Sequence, residues 1–212
     1  MKLDFVSDIN KENYYTLGYD LVDRFMVQLA WVSAVLISLY SFAIYFSRLA
    51  SYYPNPFTWR VVELNEVLSV VVIAFLAAGI LQSLHGKIAN HYHWRLLVTN
   101  LLLVFPYLLV FISGGSIEWH FYFFVTFAFL ALYADWRLGW WAILAVALHH
   151  GILNYVKPGW VYFYGRNDVA FLSHAIIVFF MAIATTVICE RFRTIADTNR
   201  KLAEQLSSKK IK

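Results

Sequence analysis

Six long apolar stretches follow one another along this chain, and short segments with charged, proline or glycine residues separate them. Most are close to the roughly 20 residues that an α-helix needs to cross the hydrocarbon core of a bilayer. The apolar positions run continuously instead of alternating, which favours helices over the strands of a barrel. The predicted helices cover residues 23–48, 62–84, 93–112, 118–133, 138–155 and 169–189. The pattern therefore predicts an all-α membrane protein with six transmembrane helices.

Two shorter parts flank the predicted six-helix domain, which covers residues 23–189. Residues 1–22 mix charged and apolar side chains, which fits either an amphipathic segment on the membrane surface or a flexible lead-in. In residues 190–212 the spacing changes to alternating threes and fours, the a/d seam of a coiled coil. The seam positions are Phe192, Ile195, Asn199, Leu202 and Leu206. We expect a cytoplasmic coiled-coil helix that forms a homodimer, in which Asn199 sets the register; the alternative is a solvated amphipathic tail.

Composition agrees with a membrane location and indicates an orientation. The chain is 61% hydrophobic and 14% charged, against roughly 45–50% and about 25% in soluble domains. The net charge of +4 is concentrated near the C-terminus and in the loops after the second and fourth helices, so it bears on topology and does not suggest nucleic-acid binding. The positive-inside rule then places both termini in the cytoplasm. One cysteine, Cys189, excludes an intramolecular disulfide.

Ionisable side chains occur at the outer ends of the last three predicted helices. They are His120 on the fourth helix, His149 and His150 on the fifth, and His174 on the sixth. Such groups are costly at membrane depth and usually face the interior of a bundle. Consecutive helices joined by short loops are normally neighbours, so we expect these imidazoles to converge. Carboxylates at the same end are Glu118, with Glu63 and Glu66 as possible additions.

Several histidines with a carboxylate suit a transition metal ion such as Cu, Zn or Fe. Haem b is the alternative, because two opposed histidines are enough to bind its iron. His149 and His150 point about 100° apart on a helix, so one would be the ligand and the other would support it. Independent core histidines, each with its own partner, would explain the pattern without a cofactor. Three more histidines fall in the loop after the second helix: His85, His91 and His93. Exposure to solvent is the simplest explanation for these side chains, and contact with a second ion or a lipid headgroup is the alternative.

Residues 20–190 resemble the multi-helix membrane input module of certain bacterial signalling proteins, namely methyl-accepting chemotaxis proteins, sensor histidine kinases and diguanylate cyclases. The resemblance is carried by Gly114-Gly115-x-Ile117-Glu118-x-His120-Phe121, Leu130-Ala131-Leu132-Tyr133-x-Asp135-Trp136-Arg137, Ala147-Leu148-His149-His150 and Leu172-Ser173-His174-Ala175. It points to Glu118, His120, Asp135, Trp136, Arg137, His150 and His174 as the functional positions. The relatives often have Asp at position 149, His at 122 and a His pair near 63–66. If those positions bind the metal, the site in this chain has fewer ligands or more carboxylates than theirs.

The resemblance implies a sensory input domain in the bacterial inner membrane. Occupancy or redox state of the metal or haem would shift the sixth helix and thereby a cytoplasmic output domain or kinase. Two other functions use the same side chains: a membrane metalloenzyme, either hydrolase or oxidase, and a b-type haem electron-transfer protein. The predicted coiled coil of residues 190–212 favours the sensor over the enzyme, because catalysis does not require a coiled coil.

Overall fold

The computed structural model describes residues 11–50, 61–88 and 90–210, and within this part of the chain it is all-helical. The helices are α1 Lys11–Ala50, α2 Leu64–Leu84, α3 His91–Ile112, α4 Ile117–Leu130, α5 Trp136–Val156 and α6 Asp168–Lys210. Two short 3-10 helices, Ala131–Tyr133 and Pro158–Trp160, follow α4 and α5. No strand occurs in the described residues. The predicted helical class is therefore confirmed.

Four helices are long and apolar enough to cross a membrane: Asp20–Ser47 within α1, Leu64–Leu84, His91–Ile112 and Asp168–Leu206 within α6. The apolar stretch Ile117–Tyr133 is shorter. Helix α5 has 21 residues, but its three tryptophans, an arginine and two histidines make it less apolar. These helices are compatible with a membrane location.

The predicted helix bounds lie within two residues of the observed ones for α2, α3 and α5 and at the starts of α4 and α6. The predicted end of α4, at residue 133, includes the 3-10 helix Ala131–Tyr133. Capping explains two of the starts: the Asn90 side chain accepts hydrogen bonds from the first turn of α3, and the Asp135 side chain accepts one from the first turn of α5. The largest difference is α1, which includes residues 11–22 of the predicted lead-in. Residues 1–10, also assigned to that segment, lie outside the described residues.

Helix α3 is the centre of the bundle and α6 lies at its edge. Of the apolar windows, 61% is buried in α3 and only 11% in α6. Helix α3 contacts α1, α2, α4 and α5, whereas α6 packs mainly on α5. The core is filled by large side chains such as Phe105, Phe127 and Leu138. Because α6 has few buried contacts, it is the helix that can move at the lowest cost in packing.

Polar contacts join several helices at the end of the bundle where α3 and α5 begin. The Tyr133 hydroxyl, fully buried, donates a 2.8 Å hydrogen bond to Oδ1 of Asp23 in α1. The Arg95 guanidinium of α3 lies 5.5 Å from the centre of the Tyr133 ring. The 3-10 helix that follows α4 is therefore held against α1 and α3. On its other side, the buried Cys189 of α6 lies 3.9 Å from the Ala131 carbonyl.

Candidate histidine site

Three imidazoles from α4, α5 and α6 meet at the opposite end of the bundle. The ring centroids are 5.4 Å apart for His120 and His150, 5.6 Å for His120 and His174, and 6.3 Å for His150 and His174. His120 and His150 are buried, and His174 is partly buried. The structure thus brings together the three histidines whose convergence the sequence predicts; whether they bind a metal stays a prediction.

Each of these rings is oriented by the same local contact. Nδ1 lies 2.8 Å from the Ser116 carbonyl in His120, 2.9 Å from the Val146 carbonyl in His150 and 2.8 Å from the Ala170 carbonyl in His174. A carbonyl oxygen only accepts, so the contact places the proton on Nδ1 and leaves the lone pair on Nε2. Histidines that bind metals are commonly fixed through such a contact to a backbone carbonyl.

The free nitrogen of His120 is unusual because it is buried. Its Nε2 has no hydrogen-bond partner in the described part of the chain. The Val161 carbonyl interacts with the ring but does not complete a hydrogen bond at Nε2. An unpaired buried polar atom costs about 1–3 kcal/mol. A ligand that satisfies this lone pair would recover that free energy.

An apolar cavity of about 240 Å³ adjoins the three rings. It is lined by His120, His150, His174, Ile117, Phe121, Phe123, Phe124, Phe127, Val146, Ala147, Phe171, Ala175, Ile177 and Val178. Two of its lining residues are exposed on the outer surface of the bundle: Phe121 of α4 is 59% exposed and Ile177 of α6 is 50% exposed. In a membrane that surface faces lipid, so lipid-facing residues form part of the cavity wall.

Tyr162, which the sequence analysis missed, covers the histidines from the loop between α5 and α6. Its ring centroid lies 6.2, 6.0 and 5.5 Å from those of His120, His150 and His174. The side chain is 1% exposed, and its hydroxyl has no hydrogen-bond partner among the described residues. A buried tyrosine normally pairs its hydroxyl. The signal in the sequence was an aromatic run, Tyr162-Phe163-Tyr164, shortly after a proline–glycine turn.

A glycine lets this loop cross close to the turn between α3 and α4. Gly115 has a φ of +80°, and a Cβ there would stand 2.5 Å from the Tyr162 nitrogen. The Phe163 amide donates a 3.3 Å hydrogen bond to the Gly115 carbonyl. The chain can therefore place Tyr162 over the histidines only if residue 115 lacks a side chain.

His149 lies outside the cavity. Its ring stacks on Tyr107 of α3, with centroids 4.0 Å apart and planes 20° apart. Its Nδ1 is buried and has no hydrogen-bond partner in the described residues. His149 and His150 therefore face different neighbours, as the helical angle between them predicts.

The predicted carboxylates do not line the cavity. Glu118 is exposed and accepts a hydrogen bond from the Ser116 hydroxyl. Glu63 and Glu66 pair with each other at the start of α2, where the Glu63 amide donates to Oε2 of Glu66 at 3.0 Å. The structure thus gives Glu63 and Glu66 a capping role.

The histidine triangle is slightly wider than a closed metal site. Three imidazoles that bind one ion through Nε2 at about 2.1 Å with tetrahedral angles have centroids about 5.2 Å apart. The two distances from His120 come within half an ångström of this value, and the His150–His174 distance exceeds it by about 1 Å. In the described residues no three His, Cys, Asp or Glu side chains are arranged to hold an ion. Binding would require His174 to move inward.

The remaining residues singled out by the sequence lie at or beyond the other end. Asp135 caps α5 and binds the Arg137 guanidinium at 2.8 and 2.7 Å, and Arg137 lies over the Tyr92 ring. Burial raises the pKa of Asp135, but the hydrogen bonds from Arg137 outweigh it and hold the pKa below its usual range. Trp136 is 40% exposed, and Asn199 is exposed on α6.

No family model, curated protein or solved structure matches this chain. The likeness to bacterial signalling input modules therefore stays a prediction.

Proposed function

We propose that this chain is a membrane sensory input domain that binds a transition metal ion, Cu, Zn or Fe, through His120, His150 and His174. One observation carries the proposal: three imidazoles from three helices converge with Nδ1 fixed on a backbone carbonyl, so that each offers Nε2. Imidazole suits each of these metals. Three nitrogen ligands leave a position open for a water or a further ligand.

In this proposal α4 and α5 also cross the bilayer, which gives six spans. The 21 residues of α5 extend about 31 Å, close to the thickness of the hydrocarbon core. The stretch Ile117–Tyr133 is at the lower limit of about 17 residues. Six spans put both termini on one side, and the basic C-terminal segment assigns that side to the cytoplasm.

Metal binding would signal by moving α6. The longest side of the triangle joins His150 to His174, and His174 is on the least buried helix. An ion held by all three rings would draw α6 towards α5. Such a ligand shifts a conformational equilibrium only by its difference in affinity for the two states. Here the state in which α6 has moved towards α5 has one more metal–nitrogen bond than the other state.

Beyond the membrane, α6 would pass the movement to a second copy of the chain. The apolar seam residues Phe192, Ile195, Leu202 and Leu206 are 42–65% exposed. Outside lipid, such a stripe is stabilised when it packs against a partner helix, and Asn199 at an a position favours a defined register. This coiled coil would lead to the cytoplasmic output domain.

Haem b fits the same histidines less well. His150 and His174 are 6.3 Å apart with planes 23° apart, which suits two axial ligands. His120, however, stands about 4.5 Å from the midpoint of that pair, where the porphyrin ring would have to lie. The third histidine therefore favours a bare ion over haem.

The test is metal content. The purified protein in lipid nanodiscs is loaded with Cu, Zn or Fe, dialysed, and measured by elemental analysis and visible absorption. We expect close to one ion per chain in the wild type and loss of it in the triple variant His120→Ala, His150→Ala, His174→Ala. His149→Ala is the matched control, since it removes an adjacent imidazole that does not line the cavity, and it should keep the ion. A triple variant with full metal content, or a wild type that retains no ion, would refute the proposal.

The signalling step has its own test. Leu202→Cys in a Cys189→Ser background reports the approach of two seam residues through the rate of disulfide formation between chains. Metal should change that rate in the wild-type site and leave it unchanged when the three histidines are replaced. Lys201→Cys, one residue off the seam, is the control position. Equal rates at both positions, with and without metal, would argue against a metal-coupled dimer.

A further inference from the structure

Helix α6 is packed against the bundle at one level only. Its buried residues in the described part of the chain are Ala182, Thr185 and Cys189. A spacing of three and then four residues places them on one face of the helix, within about two turns. Before this level, residues 168–181 are exposed or partly buried, and after it residues 190–199 are all exposed. Packing therefore fixes α6 near Thr185 more firmly than at either end.

The contacts at this level are close and join α6 to two other elements. A Cβ on Gly139 of α5 would stand 3.0 Å from Cγ2 of Thr185, so the two helices approach closely because residue 139 has no side chain. Trp140 Nε1 donates a 3.1 Å hydrogen bond to Oγ1 of Thr186. Cys189 contacts the 3-10 helix that follows α4, which α1 and α3 hold in place. This level of α6 is thus attached to a part of the bundle that is itself fixed.

The outer half of α6 is held more loosely. A Cβ on Gly151, also on α5, would stand 3.5 Å from the far end of the Phe171 ring, which is an ordinary contact. Asn154 donates a 2.9 Å hydrogen bond to Asp168, which keeps the first turn of α6 beside α5 but leaves it exposed. A closed histidine site would require His174 to move inward by about 1 Å. That movement meets less resistance here than at the level of the buried residues.

We propose that α6 is a lever whose pivot is the contact of Thr185 with Gly139. When the outer end moves towards α5, the segment beyond the pivot swings in the opposite direction, away from the bundle. His174 lies 11 residues from Thr185 and Leu202 lies 17, so the two arms are about 17 and 26 Å long. A movement of about 1 Å at His174 therefore becomes about 1.5 Å at the seam. The inference rests on the proposed function for the ligand that moves α6, but not for the pivot itself.

The first experiment measures two distances by double electron–electron resonance, in nanodiscs, with an excess of unlabelled chain so that only distances within one chain are seen. The background is Cys189→Ser, which keeps a side chain of similar size at the pivot. Spin labels are attached to cysteines that replace exposed residues, one on the bundle and one on α6 at each end: Val61 with Val169 at the outer end, and Lys87 with Lys201 at the inner end.

The two labels on α6 are placed symmetrically about the pivot. Val169 and Lys201 lie 16 residues to either side of Thr185, so a pivot there moves them by equal distances in opposite directions. We expect metal to shorten the outer distance and to lengthen the inner one, each by about 1–1.5 Å.

The second experiment moves α6 without metal, so it does not depend on the metal site. Gly151→Leu inserts a side chain between α5 and the outer half of α6, and it should lengthen the outer distance and shorten the inner one. Gly139→Leu is the matched control on the same helix. It pushes α6 away at the pivot itself, so it should lengthen the inner distance. Both variants are compared with the metal-free wild-type site.

The sign of the inner change decides the proposal. An inner distance that changes in the same sense as the outer one, or stays constant when the outer one changes, would overturn the pivot. Constant distances at both ends in both experiments would overturn it too. Opposite signs caused by Gly151→Leu in a protein that binds no metal would support the pivot and refute the metal site alone. The metal and Gly151→Leu comparisons decide the question even if Gly139→Leu does not fold.

Discussion

Replacing Gly115 with alanine tests how the loop that carries Tyr162 is held over the histidines. The new Cβ would stand 2.5 Å from the Tyr162 nitrogen and 2.7 Å from the Phe163 nitrogen. Both are backbone atoms, so rotation of a side chain cannot relieve the contact. The loop would have to move away by nearly 1 Å to restore ordinary packing distances.

The free-energy cost of Gly115→Ala has two parts, and the same substitution at a second glycine distinguishes them. A Cβ at positive φ costs about 1–2 kcal/mol by itself, and overpacking typically adds 1–3 kcal/mol. Gly165, in the same loop, has a φ of +79°, but a Cβ at this position would have no atom of the described residues within 4 Å. Gly165→Ala therefore carries only the first cost, and Gly115→Ala carries both.

The assay is thermal unfolding in nanodiscs at one scan rate, together with metal content. One kcal/mol corresponds to about 2–4 °C in a chain of this size. We expect the midpoint of Gly115→Ala to fall about 2–12 °C below that of Gly165→Ala. Equal midpoints in the two variants would refute the close crossing of the loop over Gly115.

Two further predictions concern the other end of the bundle. Tyr133→Phe removes the hydroxyl that donates the 2.8 Å hydrogen bond to the buried Asp23 carboxyl, and it should destabilise the fold by about 1–3 kcal/mol. Tyr107→Phe is the control, because it removes a hydroxyl that has no hydrogen bond in the described residues. Its loss of stability in the same unfolding assay should be smaller. The pKa of Asp135 is lowered in the fold by Arg137, so its contribution is complete above the unfolded pKa of about 3.9 and is lost as the pH falls through the lower folded value. Wild-type stability should therefore fall more steeply with acid below about pH 4 than that of Asp135→Asn, and parallel profiles would contradict the ion pair's role.

The sequence was sufficient for the bounds of α2, α3 and α5 and for the convergence of the three histidines, because both depend on local spacing. Apolar stretches fix where a helix starts and ends, and a rise of about 1.5 Å per residue then fixes the depth of each side chain. His120, His150 and His174 lie at similar distances from helix ends that short connections bring together. Even the separation of His149 from His150 follows from the helical angle between neighbours.

The cavity and its cover could not be predicted in this way. Tyr162 reaches the site because a loop crosses Gly115, a contact between residues 47 positions apart that leaves no periodic signal. The position of Glu118 outside the cavity has a related reason: depth places Glu118 near His120 but does not say which way its side chain faces, and it accepts a hydrogen bond from the Ser116 hydroxyl. The position of a residue along its helix predicts its depth in the membrane. Only the packing of the helices decides which residues at the same depth contact each other.

The position of His174 determines how far a ligand can shift the conformational equilibrium of α6. Moving a two-state equilibrium from 1:99 to 99:1 takes about 5.5 kcal/mol of differential affinity. Structural zinc sites gain about 10–16 kcal/mol in total, so the one nitrogen that α6 adds is a substantial part of that requirement. The approach of the coiled-coil seams of two chains should therefore respond to metal, because α6 moves only as far as the ion draws His174.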